Sequence, residues 1–239
     1  LEGIETPDPI RLSDLIGYEQ ERDLLLRNTE HFLAGMQANN VLLYGDRGTG
    51  KSSSVKALLN EYAERGLRLI EVPKHQLGAF PRILRLLRGR PERFILFVDD
   101  LSFEENESSY KDLKAVLEGN LEVRPENVLL YATSNRRHLI PERFSDRDGS
   151  SEEIHARDTQ EEKLSLSDRF GITITFLSPT QALYLEIVSG LAQREGLRLS
   201  EAELRRQALQ WATRHNGWSG RSARQFLDFA LGEQSTNGR

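Results

Sequence analysis

Uninterrupted runs of apolar residues recur three times along the chain and predict the central strands of a sheet. They occupy residues 41–44, 94–98 and 128–132. Short runs without a polar interruption are typical of strands that helices cover on both faces, which is the arrangement in a parallel sheet. Residues 67–72 and 172–176 mix apolar and polar positions, so we expect these two strands nearer the sheet edges.

Apolar residues at helical spacing separate these runs. Two sets follow the i, i+3, i+4, i+7 rule of an amphipathic helix: Val55, Leu58, Leu59 and Tyr62, and then Phe80, Ile83, Leu84 and Leu87. Gly66 stands where the first of these helices is expected to end. Because strands and helices alternate, the sequence predicts an α/β fold with a central parallel sheet.

Only helical patterns follow residue 176. The first two helices each begin with the pattern of a capping box, in which a serine precedes Gln or Glu by three positions: Ser178 with Gln181, and Ser200 with Glu203. A third apolar stripe spans residues 223–231. The sequence therefore predicts an α/β domain over residues 1–177 and a small all-helical domain over residues 178–239, with residues 235–239 frayed.

Composition excludes several classes of protein. The 239 residues include 32 Lys+Arg and 37 Asp+Glu, a net charge of −5, so strong overall attraction to nucleic acid is not expected. No apolar run approaches the roughly 18–20 residues that cross a bilayer, so we expect no membrane partner. The absence of cysteine excludes disulfides and thiolate metal sites and fits a cytoplasmic protein. The five histidines have no metal-ligand spacing.

One stretch, residues 141–168, carries nine acidic and four basic residues with few large apolar side chains. This composition predicts an irregular, solvated and mobile insertion rather than a loop that binds a partner. We expect its arginines, Arg143, Arg147 and Arg157, to be solvated or paired on the surface.

Residues 45–52 match the pattern G-x-x-x-x-G-K-[ST] of a phosphate-binding loop, between a predicted strand and a predicted helix. Glycines let backbone N–H groups surround phosphate oxygens, and Lys51 reaches the β and γ phosphates. Ser52 is the natural Mg²⁺ ligand. The residues expected to bind ATP or ADP here are Gly45, Asp46, Arg47, Gly48, Thr49, Gly50, Lys51, Ser52 and Ser53.

Polar residues end the second and third apolar runs. Asp99 is expected to hold Mg²⁺, and Asp100 to polarise the attacking water. Glu104 and Glu105 are alternative bases, although a solvated face explains them more simply. Asn135 follows the third run, where an amide can orient the water or contact the γ-phosphate.

Together these motifs resemble the AAA+ ATPase superfamily over nearly the whole chain. Residues 45–52 are similar to its Walker A motif, residues 95–100 to Walker B, and Asn135 to its sensor 1 residue. Residues 14–17, Asp-Leu-Ile-Gly, are similar to the segment that lies over the adenine. The resemblance therefore implies that Ile16 and Gly17 contact the base.

The same resemblance implies roles for two arginines. Residues 167–171, Ser-Asp-Arg-Phe-Gly, resemble the segment that supplies an arginine finger to the neighbouring subunit, which implies this role for Arg169. Residues 217–221, Gly-Trp-Ser-Gly-Arg, resemble sensor 2 at the start of a lid helix, which implies Arg221, with Arg224 as the alternative. The resemblance also implies a three-layer P-loop core with a helical lid. It further implies a homo-oligomer, such as a hexameric ring, and an unidentified protein partner.

More narrowly, residues 39–44, 97–104 and 131–139 resemble a bacterial AAA+ family described only as a domain of unknown function. The chain departs from the superfamily at two places. Asp100 stands where most members have the longer Glu, which predicts slow hydrolysis or a bridging water. Residues 74–78 lack the aromatic residue that protein-threading members use, which argues against a translocating unfoldase.

Four functions compete at this point. The first is an oligomeric Mg-ATP-dependent switch that acts on a partner protein. The second is a loader or adaptor that hydrolyses ATP very slowly, which Asp100 motivates. A DNA-associated ATPase is disfavoured by the net charge of −5 and by the lack of a basic stripe, since the adjacent Arg136 and Arg137 alone do not make a basic tract. A small-molecule kinase is disfavoured by the predicted lid with Arg221.

Overall fold

The computed structural model of the chain describes residues 1–103, 109–118, 124–135, 139, 166–215 and 217–237. The predicted acidic insertion lies outside the described residues except for its last three positions, 166–168. The two alternative bases and several arginines lie outside them too, namely Glu104, Glu105, Arg136, Arg137, Arg143, Arg147 and Arg157.

A parallel sheet of five strands forms the centre of the described chain. The strands are β1 (Val41–Gly45), β2 (Leu67–Glu71), β3 (Arg93–Val98), β4 (Val128–Ser134) and β5 (Ile172–Phe176). Their order is β2-β3-β4-β1-β5, with every neighbouring pair parallel. The three uninterrupted apolar runs thus form the interior strands, and the two mixed runs form the edges. The predicted sheet is confirmed.

Helices cover both faces of this sheet. They are α1 (Glu19–Leu33), α2 (Lys51–Tyr62), α3 (Phe80–Leu87) and α4 (Ser109–Glu118). Val41 and Leu43 of β1 pack on one face with residues of α1 and α2, whereas Leu42 packs on the other face with residues of α3 and α4. This alternation places one apolar core on each side of the sheet, which gives the predicted three-layer sandwich.

Three further helices follow the sheet: α5 (Gln181–Glu195), α6 (Glu201–Arg214) and α7 (Gly220–Asn237). They share a core of their own in which Tyr184, Ala208 and Phe226 are almost fully buried. Ile16, from the segment before α1, packs against this core. The C-terminal helices are therefore attached to the amino-terminal segment as well as to β5.

The ends of these helices correct two predictions. Thr180, and not Ser178, caps α5, because its hydroxyl accepts a hydrogen bond from the Leu183 N–H at 3.2 Å. The prediction for Ser200 is confirmed, since it caps α6 by accepting from the Glu203 N–H at 3.3 Å. The expected fraying is wrong for residues 235–237, because α7 continues through Asn237, and residues 238–239 lie outside the described residues.

Helix length and polarity bear on membrane insertion. Among the described helices, none is both long enough and apolar enough to cross a bilayer.

Candidate functional site

The phosphate-binding loop lies at the carboxyl-terminal edge of the sheet, between β1 and α2. Three of its glycines have positive φ: Gly45 at 140°, Gly48 at 76° and Gly50 at 94°. A Cβ on Gly45 would lie 1.9 Å from the carbonyl oxygen of Phe176, so no larger residue fits there. Glycine is therefore required both by the backbone conformation and by the close approach of β5.

Lys51 lies at the centre of this loop. Its Nζ donates to the carbonyl oxygens of Gly45 and Asp46, at 2.8 and 2.7 Å, and to Oδ1 of Asn135 at 3.2 Å. The residue is only 6% exposed, and this burial lowers the pKa of the ammonium group below its usual value. The loop thus holds a desolvated cation with three oxygen partners. An anion that entered the loop would compete with the carbonyl groups for hydrogen bonds from the Lys51 ammonium group.

Asp99, at the end of β3, accepts two hydroxyl hydrogen bonds through the same oxygen. Ser52 Oγ donates to Asp99 Oδ1 at 2.6 Å, and Thr133 Oγ1 donates to it at 2.5 Å. The serine belongs to the phosphate-binding loop and the threonine to β4, so this carboxylate joins three segments. A hydroxyl beside a carboxylate is a donor set of the kind that Mg²⁺ uses together with water and phosphate oxygens.

Asp100 has a left-handed backbone conformation, with φ 51°. Its N–H donates to Thr133 Oγ1 at 3.0 Å, and its Oδ1 accepts from Nδ2 of Asn135 at 2.5 Å. Among non-glycine residues, Asp is one of the few that tolerate this conformation readily. Asn135 therefore joins Asp100 to Lys51, one partner at each end of its amide.

A cleft of about 970 Å³ opens from this edge of the sheet toward the C-terminal helices. It is lined by the predicted residues Ile16, Gly17, Arg47, Gly48, Thr49, Gly50, Lys51, Ser52, Ser53, Asp99, Asp100, Asn135, Arg221 and Arg224. Gly45 and Asp46 do not line it; they lie beneath the loop and bind Lys51 through their carbonyl groups. The volume and polar lining suit a nucleotide-sized ligand.

The C-terminal helices close one side of the cleft. The Gly220 N–H, at the start of α7, donates to the carbonyl oxygen of Gly48 at 2.8 Å. Ile16 fits against Gly190 of α5, where an added Cβ would lie 2.3 Å from Ile16 Cδ1. Arg194 of α5 forms an ion pair with Asp14 at 3.0 Å. Helix α7 therefore meets the phosphate-binding loop, and α5 meets the segment expected over the base.

The two candidate lid arginines differ in their contacts. Arg224 forms an ion pair with Glu195 at 2.8 Å, whereas Arg221 forms no hydrogen bond or ion pair with any described residue. Both side chains line the cleft.

Arg169 is not brought to the cleft. It lies before the first residue of β5, Ile172, which pairs with Val41 at the start of β1. The phosphate-binding loop follows the carboxyl-terminal end of β1. Arg169 therefore lies near the amino-terminal ends of the strands, across the sheet from the loop of its own chain.

Several residues of the cleft were missed by the sequence analysis. Thr133 was not predicted as a site residue, although a polar residue near the end of an otherwise buried strand is a usable signal. Tyr18, Arg22 and Arg194 also line the cleft. Arg194 belongs to α5, far along the chain from the loop, and nothing in its local sequence indicates this position.

Potential metal ligands are few at this site. In the described ranges, no group of three or more His, Asp or Glu residues is gathered around one point. Ser52 and Asp99 together fit Mg²⁺, which keeps several waters and needs few protein ligands when a phosphate is present.

Comparison with known families now bears on this geometry. A family profile described as "Protein of unknown function (DUF815)" matches residues 1–234. The chain belongs to the DUF815 family. A comparison of this DUF815 chain with curated proteins gives no match.

Solved structures resemble the DUF815 chain in fold. Thermotoga maritima RuvB, described as a Holliday junction branch migration motor, has a TM-score of 0.54 at 16% identity, covering 92% of this chain and 72% of its own. A point mutant of the same protein has a TM-score of 0.56, with the same identity and coverage. At this identity the likeness concerns the fold alone. The family match confirms the predicted membership of a family of unassigned function. The structural match confirms the predicted AAA+ type of fold.

Proposed function

We propose that this DUF815 chain binds Mg-ATP between an α/β core, residues 1–177, and a helical lid, residues 178–239, and hydrolyses the ATP to drive a conformational change on a partner protein. One observation carries the proposal. Five polar residues lie at one end of a single cleft and are linked through direct hydrogen bonds and through Thr133, namely Lys51, Ser52, Asp99, Asp100 and Asn135. These are the groups that phosphoryl transfer to water requires.

ATP binding is the first function of these residues. The backbone N–H groups after Gly45 and the amino-terminal end of α2 attract the phosphates. Lys51 exchanges its carbonyl partners for the β and γ phosphate oxygens. Ile16 and Gly17 contact the base, and Arg221 or Arg224 contacts the phosphates from the lid. Arg221 is the better candidate because Arg224 is already paired with Glu195.

Ser52 and Asp99 would hold Mg²⁺ in this site. When bound, the ion neutralises phosphate charge and orients the phosphate oxygens. Thr133 fixes the Asp99 carboxylate through its hydroxyl, so the orientation of this group does not depend on the ion alone.

Hydrolysis requires a water in line with the γ phosphate. The water oxygen forms a bond to the γ phosphorus, the bond from that phosphorus to the bridging oxygen breaks, and ADP and phosphate leave. Asp100 accepts the proton of the water, and Asn135 orients it. Lys51, the nearest fixed cation, stabilises the charge that develops on the phosphoryl oxygens.

Arg169 is proposed to complete the site of a neighbouring subunit. Its position at the far edge of the sheet from its own loop excludes a direct role in its own cleft. An arginine donated across a subunit interface stabilises the transferring phosphoryl group and makes activity depend on assembly. We therefore expect a homo-oligomer, of which a hexameric ring is one form.

The test is the ATPase rate per subunit as a function of protein concentration. Lys51→Ala serves as the blank, because it removes the central cation of the loop and is expected to abolish tight ATP binding. An equal mixture of Asp100→Asn and Arg169→Ala is the decisive sample. Where the cleft of an Arg169→Ala subunit meets an Asp100→Asn neighbour, the site contains an intact Asp100 and an intact Arg169. Activity should therefore return in the mixture although each variant alone is inactive.

A rate that rises with concentration, together with recovery in the mixture, supports the shared site. A flat rate and an inactive mixture contradict Arg169 as a finger in trans and leave a monomeric switch. Unchanged nucleotide affinity in Lys51→Ala contradicts the site itself.

A second candidate function is a loader or adaptor that holds ATP and hydrolyses it very slowly. The observation in its favour is Asp100, whose short carboxylate is bound to Asn135 at 2.5 Å. If reach limits the rate, Asp100→Glu raises kcat above that of the parent. An equal or lower kcat counts against this candidate, and Asp100→Asn provides the inactive reference.

A further inference from the structure

A row of arginines lies on α3 and on the turn that follows it. Residues 82–93 contain five arginines and a single carboxylate, Glu92, in a chain whose net charge is −5. Arg82, Arg85, Arg88 and Arg90 are all exposed, and we call these four the arginine row. The net charge of the whole chain conceals this local concentration, which the sequence analysis did not recognise as a basic stripe.

The first two arginines of the row lack partners that other arginines have. Arg82 and Arg85 form no hydrogen bond or ion pair in the part of the chain that the structure describes. Arg90 forms a 3.4 Å ion pair with Glu92 and lies over the Phe94 ring, with its side chain 54% exposed. Elsewhere, arginines contact carboxylates at 2.5 to 3.3 Å, namely Arg22, Arg194, Arg206 and Arg224.

Helix stability does not account for Arg82 or for its closeness to Arg85. Arg82 lies in the first turn of α3, where a positive charge opposes the helix dipole. Arg82 and Arg85 are three positions apart and so are neighbours on the helix surface, where like charges repel. Arg85, in the last turn, and Arg88, at the C-cap, have favourable positions relative to the dipole, so the unexplained charge is that of Arg82. A ligand of opposite charge would relieve the repulsion.

We propose that the arginine row binds the phosphodiester backbone of a nucleic acid. The planar guanidinium group binds phosphate through two parallel hydrogen bonds, and all cations of residues 82–93 are arginine, with no lysine. Arg82 and Arg85 are neighbours on α3, and Arg88 and Arg90 follow them in the chain, a succession of cations that fits a polymer of phosphates better than a single anion. None of the four residues lines the nucleotide cleft, so this surface is separate from the ATP site.

The binding expected here is independent of sequence and sensitive to salt. Each phosphate neutralised by an arginine releases counterions, so the logarithm of the binding constant falls by about 0.9 per contact for duplex DNA, and by about 0.7 for single strands, for each tenfold rise in salt. The overall negative charge of the chain opposes long-range steering and confines the attraction to this surface.

The experiment is fluorescence anisotropy with labelled single-stranded DNA, duplex DNA and single-stranded RNA, titrated with the full chain at several salt concentrations. The test variant is R82Q/R85Q, in which glutamine keeps a good helix former at both positions. The matched control is R27Q/R205Q, which removes two exposed arginines from other helices and changes the net charge equally.

The test variant is expected to bind on the order of tenfold more weakly and to reduce the salt slope by about 1.4 to 1.8, while the control binds as the parent does. The DNA and RNA arms identify which phosphodiester is preferred. Affinity for a fluorescent ATP analogue should be equal in all three proteins, which separates this result from any failure of the ATP site.

Three results overturn the proposal. One is no binding of the parent to any of the nucleic acids at low salt. Another is an equal loss in the test variant and the control, which would assign the effect to net charge. The third is binding to polyglutamate or to vesicles of anionic lipid, with no binding to nucleic acid, since the row would then serve a different partner.

Discussion

The Thr133 hydroxyl binds the carboxylate of Asp99 and the main chain of Asp100. It donates to Asp99 Oδ1 and accepts from the Asp100 N–H, and the residue is only 1% exposed. Both bonds come from one rotamer of one side chain. A small error at this position would therefore displace the proposed metal ligand and the proposed base together.

Thr133→Val keeps the shape of the side chain and removes both bonds. Residues that orient metal ligands typically change metal affinity or activity 10- to 100-fold when lost, so we expect kcat to fall about 10-fold or more. The Mg²⁺ concentration for half-maximal activity should also rise. Thr133→Ser restores the hydroxyl and should recover both quantities. A Val variant with unchanged Mg²⁺ dependence would indicate that Thr133 serves packing alone.

Residue-level chemistry was predictable where a motif fixes the backbone path. Lys51, Ser52 and Asp99 follow from the loop pattern and from an acid at a strand end. The conformation of Asp100 does not, because its positive φ depends on bonds from β4 and from Asn135. Thr133 was missed for the same reason, since its role requires β3 and β4 to be neighbours in register.

At the scale of elements, helix α5 packs closely against the segment before α1 at Gly190. Gly190 is in the middle of α5, and its missing side chain leaves the space that Ile16 occupies. Ile16 is also a lining residue of the cleft. The shape of α5 therefore sets the position of a residue proposed to contact the base.

Gly190→Ala should displace Ile16, because the new Cβ would lie 2.3 Å from Ile16 Cδ1. Cδ1 is the free end of this side chain and can shift, so we expect a modest fall in affinity for a fluorescent ATP analogue, about two- to threefold. Gly232→Ala in α7 is the matched control, since no atom lies within 4 Å of its added Cβ. The control should retain affinity and raise the thermal midpoint slightly. Equal affinities in both variants would contradict the coupling.

The amino-terminal turn of α6 carries a pH-dependent contribution to stability. Hydrogen bonds from Arg206 and Gln207 lower the pKa of Glu203 to about 2. The group is thus more acidic in the folded chain than in the unfolded one, where about 4.3 is usual. Its contribution is fully present above about pH 4.3 and is lost as the pH falls toward about 2.

Glu203→Gln should lower the thermal midpoint by about 1–2 °C at neutral pH, and the difference from the parent should shrink below about pH 4. Melting curves from pH 7 to pH 3 measure this. Glu201→Gln, in the same turn, controls for the effect of a first-turn carboxylate on the helix dipole. A difference that stays constant with pH would refute the linkage.

Periodicity predicted the elements well and their ends less well. The apolar faces of α2, α3 and the C-terminal helices are buried as their spacing indicates. The start of α5 was wrong because Ser178 and Thr180 are both suitable caps by residue type. The fold selects Thr180, while Ser178 donates to the carboxylate of Asp46 in the phosphate-binding loop. Local sequence does not contain that competing partner.

Across the whole molecule, the contacts of the C-terminal helices should make them respond to nucleotide. Trp218 is 44% exposed and precedes Ser219, whose Cβ lies 3.1 Å from the position of an added Cβ on Gly48. The chain has two tryptophans, so Trp211→Phe leaves Trp218 as the sole probe. Its fluorescence should change on addition of Mg-ATP, and the Trp211→Phe/Lys51→Ala protein should show no change. A constant signal in the parent background would argue that the helices do not move there.

The arrangement of sheet and C-terminal helices could be predicted from the order of strands and motifs in the sequence. The contacts that close one side of the cleft could not. The sequence places residues 14–17 and residues 217–221 at opposite ends of the chain. Ile16 with Gly190, and Gly220 with Gly48, bring these ends to one cleft through shape and backbone contact. Such complementarity has no signature in residue spacing.

The bond between Gly220 and Gly48 joins two main-chain atoms, and this has a consequence for how the sequence can change. Substitutions at other positions leave the donor and the acceptor in place, because neither is a side-chain atom. The two glycines themselves are constrained, since an added Cβ on Gly220 would lie 3.1 Å from the Gly48 carbonyl oxygen and Gly48 has a φ of 76°. Substitutions elsewhere in α7 can therefore accumulate while the helix remains tied to the loop that it adjoins.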